Sequence, residues 1–388
     1  MAVQLRNRSD GQWEQVQPQA VIDANMRNYI IYGIEGLLMT LTNLPIVLSV
    51  LRYKALRDQK EFIIVAGLAF ADGFHGFAYL SAAIGRINLL LKGDGFVLKS
   101  RWHCGTTVWN ISWTFANNLA GLMLLVVSID RLIAVSIPLR YFTFTKRYAC
   151  ILVGSAFAYI CIPATVSFVL SYQYQKPEFP AICQISNGMH DGYYKYLVRF
   201  HLVTSFGSVF LYGPVIFMLK RTLRRTVGRS EAEKISRLKK VTYTLGIHTC
   251  FTFLFNMVPD LLMMYSNIPV ANQTPISMML NLNAMVNIFI YTLRFKEMRN
   301  GLKALIMCRA KLPAATANAP RVATNQRICS LLAFISSKLT KAVTRVSPVE
   351  FLQHPNRLPK ITSTPISSNP VPHSNLSSDP ITALKLTS

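Results

Sequence analysis

Seven apolar runs, each long enough to cross a bilayer, dominate the sequence. A membrane-spanning helix needs about 20 mostly apolar residues. Seven windows reach that length: 29–51, 62–84, 106–129, 148–171, 197–219, 241–265 and 275–293. A soluble helical bundle would show a polar face along each helix, and these runs show none. The sequence therefore predicts an all-α membrane protein, built as a bundle of seven transmembrane helices with antiparallel neighbours.

The composition agrees with a chain whose surface largely faces lipid. It is 51% hydrophobic and 15% charged, whereas soluble domains are about 25% charged. The formal net charge of +24 is spread between the apolar runs and along the C-terminal segment. This distribution argues against nucleic acid as a partner and favours contact with anionic membrane lipid. No removable signal peptide is expected at the polar N-terminus.

Basic residues in the loops predict the orientation of the bundle. Lys and Arg are more frequent in the loops after the first, third and fifth runs than in the other loops. Because cytoplasmic loops carry such an excess, the N-terminus is expected outside and the C-terminus inside. An odd number of spans agrees with this orientation.

Two cysteines and one sequon fall on the predicted outer side. Cys104 precedes the third run and Cys183 lies between the fourth and fifth, whereas the other five cysteines lie in runs or on the cytoplasmic side. An exterior pair in an oxidising compartment is typical of a disulfide; two unrelated thiols are the alternative. Asn7, in the sequon Asn-Arg-Ser, is a predicted glycosylation site on the same side.

Polar residues also occur within the apolar runs. Asn43 lies in the first run, Asp72 in the second, and Asn283 and Asn287 in the seventh. A carboxylate among amides could hold a Na⁺ ion or shuttle a proton, because charges inside a span are costly and usually functional. Interhelical hydrogen bonding is the alternative, and the sequence does not decide between them.

Several motifs follow one another in order along the seven runs. They are Asn43, Asp72 of "LAFAD", Cys104 with Cys183, Asp130-Arg131, Pro214, Pro259 and Asn287-x-x-x-Tyr291. Over roughly residues 28–308 this order resembles the rhodopsin-like (class A) G-protein-coupled receptors. The stretch "SIDRLIAVSIPLRY" (128–141) is most similar to nematode-type serpentine chemoreceptors such as the Srsx group.

The resemblance implies a multi-pass plasma-membrane receptor rather than an enzyme. Such a receptor would bind an extracellular ligand, a chemosensory small molecule or a peptide, and activate a heterotrimeric G protein. Asp130 would hold Arg131 at rest. On activation helix six would swing out, Arg131 would face the G-protein tail, and Tyr291 would rotate inward to support it. Pro214 and Pro259 would provide kinks. The alternative for the Asp-Arg pair is an ion pair that only fixes helix depth.

The chain departs from the family pattern at several positions. Ile288 replaces the usual Pro, which predicts a softer kink in span seven, and Met257 replaces the usual Trp of span six. Lys239 lies near the place where some members carry a Glu that locks the arginine. Asp130 is therefore expected to hold that arginine alone, with raised basal activity. The spacing of Cys104 predicts an irregular outer end of helix three.

By resemblance the ligand pocket lies among the outer halves of spans three, five, six and seven. Asp260 could pair with a cationic ligand or with a basic residue of span five. Trp109 and Trp113 lie four residues apart on one helical face and could stack on a ligand or simply pack. No cofactor is expected apart from the Na⁺ ion. The pocket residues predicted are His75, Trp109, Trp113, His201, Met257 and Asp260.

The cytoplasmic end continues past the seventh run. Phe295, Met298, Leu302 and Leu305 recur at helical spacing opposite basic residues, which is typical of an interfacial helix on anionic lipid. Cys308 is a palmitoylation candidate, a plain cytosolic thiol being the alternative. The Ser-rich tail offers phosphorylation sites for an arrestin-like partner, and 327–346 could form a second surface helix. The predicted divisions are an extracellular segment 1–27, a receptor domain 28–293, an amphipathic helix 294–308 and a mostly disordered tail 309–388.

Three other functions fit a seven-span chain less well. A transporter would show internal repeats, and none is evident. A ligand-gated channel with its N-terminus inside conflicts with the loop charges. A non-signalling decoy or scaffold would not need the intact Asp130-Arg131 pair.

Overall fold

The computed structural model of the chain describes residues 4–225, 242–243, 246–247, 249–265 and 273–309. Helical residues occur in all seven predicted windows. The tail, the proposed surface helix 327–346 and Lys239 lie outside the described residues.

Five long helices form the main body of the described chain. They are α1 Gln19–Arg52, α3 Lys60–Leu91, α5 Val108–Ser136, α7 Lys146–Tyr172 and α8 Asp191–Arg225, with three short helices between them, α2 Lys54–Arg57, α4 Arg101–Gly105 and α6 Pro138–Thr143. All five long helices are apolar enough to cross a membrane. After helical residues at 242–243, 246–247 and 249–252, the described chain continues with a π-helix Phe253–Met257, α9 Val258–Tyr265, α10 Gln273–Arg294 and α11 Lys296–Ile306.

The helices are longer than the predicted windows. α1 begins at Gln19, nine residues before the boundary at residue 28 that was predicted between an outer segment and the bundle. At a rise of about 1.5 Å per residue, a helix of 34 residues spans roughly 51 Å, whereas the hydrocarbon core is about 30 Å thick. Hydropathy detects only the part of a helix that lies in hydrocarbon, and α1 continues beyond it to Pro18.

Outward-facing apolar side chains are frequent along α7. Ile151, Ile162 and Val169 are each more than half exposed, and only 22% of the apolar window of this helix is buried. Such a surface is unusual for a soluble protein and suits lipid. α5 is the most enclosed of the five long helices, with 67% of its window buried.

Two glycines bring α1 and α3 into close contact. A Cβ atom added at Gly36 would lie 2.5 Å from the backbone nitrogen of Leu80, and one at Gly76 would lie 2.6 Å from the Cβ of Met39. Larger residues cannot occupy either position without separating the helices. This small-residue contact is common between membrane helices.

Short strands cap one end of the bundle, which we call the disulfide end. β1 Leu5–Asn7 pairs antiparallel with β2 Trp13–Gln15, and β3 Leu98–Ser100 pairs antiparallel with β4 Pro177–Pro180. A bridge between Glu14 and Val97 joins the N-terminal hairpin to the loop before β3. The opposite end, which holds Arg131, is called the arginine end.

Candidate functional site

At the arginine end, Asp130, Arg131 and Tyr141 form one buried cluster. Arg131 is 1% exposed and Asp130 is fully buried. The Nε of Arg131 donates to Asp130 Oδ2 at 2.9 Å, and its Nη2 donates both to Asp130 and, at 2.8 Å, to the hydroxyl of Tyr141. That hydroxyl donates in turn to Asp130 Oδ1 at 3.2 Å. The predicted pair is therefore a closed triad.

The turn after α5 places Tyr141 beneath the pair. α5 ends at Ser136, and Pro138 occupies the first turn of α6, where its fixed φ favours helix initiation. Tyr141 follows on this short helix and is 1% exposed. Burial, opposed by the positive charge of Arg131, raises the pKa of the Tyr141 hydroxyl, so the hydroxyl keeps its proton and can donate it to Asp130.

Lys60, at the start of α3, holds this turn in place. Its Nζ donates to the carbonyls of Tyr141 and Phe144. It also lies 3.6 Å from the centroid of the Tyr141 ring, a cation–π contact. Lys60 is itself buried. The turn is thus held through its backbone as well as through the Tyr141 hydroxyl.

These contacts correct the expectation that Asp130 holds Arg131 alone. Tyr141 is a second partner, and sequence reasoning missed it although it is the last residue of the stretch that carried the resemblance. One donor group of the arginine is not used in the triad. The Nη1 atom of Arg131 is buried and has no hydrogen-bond partner among the described residues.

The polar residues predicted inside the spans lie in the core. The Nδ2 of Asn43 donates to the carbonyl of Ala284 in α10 at 2.9 Å, and Thr252 donates to Asn283 Oδ1 at 3.3 Å. Both are interhelical bonds, the alternative role considered for this set. Asp72 is buried, and the side chain of Asn287 lies outside the described residues.

A buried pair near this set was not predicted. Glu35 in α1 is 6% exposed and accepts a hydrogen bond from Asn281 Nδ2 at 2.8 Å. In the sequence Glu35 only interrupts an apolar run, and nothing in its spacing points to Asn281. The contact adds a second polar link between α1 and α10.

The proline and tyrosine positions implied by the resemblance lie within helices. Pro214 is inside α8. Pro259 is the second residue after the π-helix Phe253–Met257, so the hydrogen-bond ladder of the sixth run is irregular there. Tyr291 is fully buried, and α10 is continuous through Ile288.

At the disulfide end, Cys104 and Cys183 are bonded as predicted. Cys104 lies in α4, separate from α5, which confirms the expected irregular outer end of helix three. Cys183 has a φ of 44°, a conformation that is uncommon for a side-chain-bearing residue. Its carbonyl accepts from Arg86 Nη2 at 3.0 Å and from Trp109 Nε1 at 3.2 Å, so the loop is fixed to two helices.

A cavity of about 180 Å³ lies below this loop. Arg86, Trp109 and Trp113 line it together with tyrosines of α1 and α3. Two of the six predicted pocket residues, Trp109 and Trp113, therefore share a cavity. Among the described residues its walls come from α1, α3 and α5 and from Ile185, so the predicted span three contributes together with spans one and two. The sequence did not single out Arg86, because there it looks like one more basic residue of a loop.

Three other predicted pocket residues, His75, His201 and Met257, are not among the described residues that line this cavity. His201 Nδ1 lies 2.8 Å from the carbonyl of Asn117, which places it at the contact between α8 and α5. His75 packs edge-on against Tyr79, with ring centroids 5.1 Å apart. Met257 is half-buried in the π-helix, and the side chain of Asp260 lies outside the described residues.

The remaining predicted positions are at the two ends. Asn7 is exposed in β1, and Cys308 is exposed beyond α11. The apolar residues of α11 lie on one face as predicted, but they are buried in protein. The rings of Phe295 and Phe62 are 5.6 Å apart, and Gly301 packs against Leu56. A pattern of apolar spacing cannot distinguish a protein surface from lipid.

A helical membrane bundle with a closed Asp-Arg-Tyr triad at one end and a disulfide-capped cavity at the other has the parts of a seven-transmembrane receptor. The sequence model of one family, described as the serpentine-type 7TM GPCR chemoreceptor Srsx, matches residues 37–306. The chain belongs to this family, and the resemblance drawn from residues 128–141 is confirmed. The members of this family are multi-pass membrane chemoreceptors, which are a receptor class rather than an enzyme class. A search of curated proteins found no match.

Proposed function

We propose that this chain is a plasma-membrane receptor that binds a ligand from outside and promotes nucleotide exchange on a heterotrimeric G protein inside. In this proposal the disulfide end and the N-terminus face outward, as the loop charges favour. The arginine end faces the cytoplasm. The observation that carries the proposal is the closed triad of Asp130, Arg131 and Tyr141.

The triad has the properties of a switch held at rest. The two charges of a hydrogen-bonded pair depend on each other when the pair is buried this deeply. Removal of one partner leaves the other charge buried without compensation. Yet one of its members, Tyr141, lies on a six-residue helix at the surface end of the bundle. Movement of α6 alone would expose Arg131, whose Nη1 donors would then be available to a G-protein carbonyl or carboxylate.

Activation would be a shift between two packings of the same bundle. A ligand can drive such a shift only by binding one packing better than the other. The irregular helix before Pro259 supplies a place for the sixth run to bend, because a π-turn and a proline both interrupt the hydrogen-bond ladder. We propose that this bend opens the arginine end.

Further partners follow from the cytoplasmic surface and the polar core. Lys296 and Lys303 are exposed on α11, opposite its buried face, and would contact anionic lipid headgroups. Phosphorylated tail residues would recruit an arrestin-like protein. A Na⁺ ion would be held by the Asp72 carboxylate and by Asn43 Oδ1, which is buried and has no hydrogen-bond partner in the described chain; oxygen ligands suit such a cation.

The proposal is tested by nucleotide exchange in cells. Wild type and Arg131→Ala would be expressed at equal surface level with each major class of G protein, without ligand and with extracts containing small organic molecules. Stimulated exchange in wild type and its loss in Arg131→Ala is the expected result. Equal exchange in both would remove the proposed coupling. Labelling of an N-terminal epitope on unpermeabilised cells checks the orientation.

A further inference from the structure

A buried positive charge lines the cavity at the disulfide end. Arg86 of α3 is 9% exposed, and the ion pairs of the described residues do not include it. A charged side chain this deeply buried is rare unless an opposite charge faces it. The buried carboxylate of α1, Glu35, is bonded to Asn281 and is not among the residues that line the cavity.

The hydrogen bonds of Arg86 leave one side of its guanidinium available. Nε donates to the carbonyl of Ile182 at 2.9 Å, and Nη2 donates to that of Cys183 at 3.0 Å. A guanidinium has five N–H donors, so both hydrogens of Nη1 and the second of Nη2 have no partner in the described part of the chain. Two adjacent donors of this kind match the two oxygens of a carboxylate.

The other walls of the cavity are largely aromatic, and its volume is small. Tyr29, Tyr79, Trp109 and Trp113 contribute to its walls, and the Tyr29 ring centroid lies 5.4 Å from the guanidinium carbon. A volume of about 180 Å³ is close to the roughly 150 Å³ of an engineered cavity that binds benzene. One ring or a short chain would fill it.

We propose that this cavity binds a small organic carboxylate, whose acid group pairs with Arg86 and whose ring or short chain lies against Trp109 and Trp113. The loop that carries Cys183 would pre-orient the guanidinium, so little ordering would be needed on binding. The proposal rests on the proposed function in one respect only, that the disulfide end is the ligand side.

The test uses the full-length protein, purified in detergent, and three probes with the same ring. Benzoate, benzamide and benzylamine differ in the charge of the group that would face Arg86. Binding is read from the tryptophan fluorescence and from the rise in melting temperature that a ligand of the folded state produces. We expect benzoate to bind at least tenfold more tightly than benzamide, a difference of about 1.4 kcal/mol. We expect benzylamine to bind more weakly still.

Two arginine variants locate the binding. Arg86→Gln should weaken benzoate binding by roughly 30-fold or more while leaving benzamide binding nearly unchanged. The matched control is Arg101→Gln, because Arg101 lies at the same end but pairs with Asp191; it should bind benzoate like wild type. Sodium sulfate at equal ionic strength controls for general salt effects.

Two outcomes would overturn the inference: equal binding of benzoate and benzamide to wild type, or unchanged benzoate binding in Arg86→Gln. If Arg86→Gln does not fold, the comparison of the three probes on wild type still tests whether the site prefers a carboxylate. Trp113→Leu then tests the location, because it should weaken the binding of all three probes alike. No G protein is present, so the result is separate from the proposed coupling. A chain that binds benzoate but supports no exchange would retain this site and lose the proposed function.

Discussion

Removal of one hydroxyl at the arginine end should raise basal signalling. Tyr141→Phe deletes the group that accepts from Arg131 and donates to Asp130. The ring and the backbone carbonyl remain, so the contacts of Lys60 with this turn are kept. Hydrogen bonds to charged groups contribute roughly 1.5 to 3 kcal/mol. Their loss from the closed state alone would favour the open state by about 10- to 100-fold.

The starting population sets the size of the signal. If about 1% of the wild-type receptor is open at rest, within the usual range for a minor state, the variant should be at least about 10% open. The assay is ligand-free nucleotide exchange, normalised to receptor at the cell surface. Tyr193→Phe is the matched control, because its hydroxyl donates to the Pro163 carbonyl at the disulfide end; its basal exchange should equal wild type. A Tyr141→Phe basal rate at or below the wild-type rate, at equal surface level, would show that the Tyr141 hydroxyl does not hold the triad closed.

Three further predictions concern the frame of the bundle. Cys104→Ser should lower the melting temperature and surface level, since a disulfide closing a loop of 79 residues is worth about 4 kcal/mol by chain entropy; Cys308→Ser, which removes an exposed thiol, should have no such effect. Asn43→Ala should destabilise the purified receptor by about 1 to 3 kcal/mol, because it leaves a buried carbonyl of α10 without its donor, and an unchanged melting temperature would contradict this. Asn7→Gln should migrate on a gel like glycosidase-treated wild type; a shift produced by the enzyme in the variant would place the glycan elsewhere.

Hydropathy was sufficient to locate the apolar windows of the long helices, because a bilayer requires every span to have a similar length and an apolar surface. It located the windows of α1, α3, α5, α7 and α8, but not their ends. The ends lie outside hydrocarbon, where capping and loop contacts decide. Pro18 at the start of α1 is one such signal that hydropathy does not detect.

The candidate site was predicted only where a charge or a cysteine stands out locally. Asp130, Arg131 and the disulfide could be found in this way. Tyr141 and Arg86 could not, since a tyrosine after a proline and an arginine before a loop have ordinary surface interpretations. The three-dimensional path of α6 turns Tyr141 inward. Arg86 is held inward by the loop that carries Cys183.

In the proposed mechanism Arg131, once released, drives nucleotide exchange. The most direct test reconstitutes purified receptor and purified heterotrimer in lipid vesicles and compares Tyr141→Phe with the double variant Tyr141→Phe/Arg131→Ala. We expect fast exchange with the single variant and exchange at the receptor-free rate with the double variant. Fast exchange by the double variant would show that the triad does not act through Arg131.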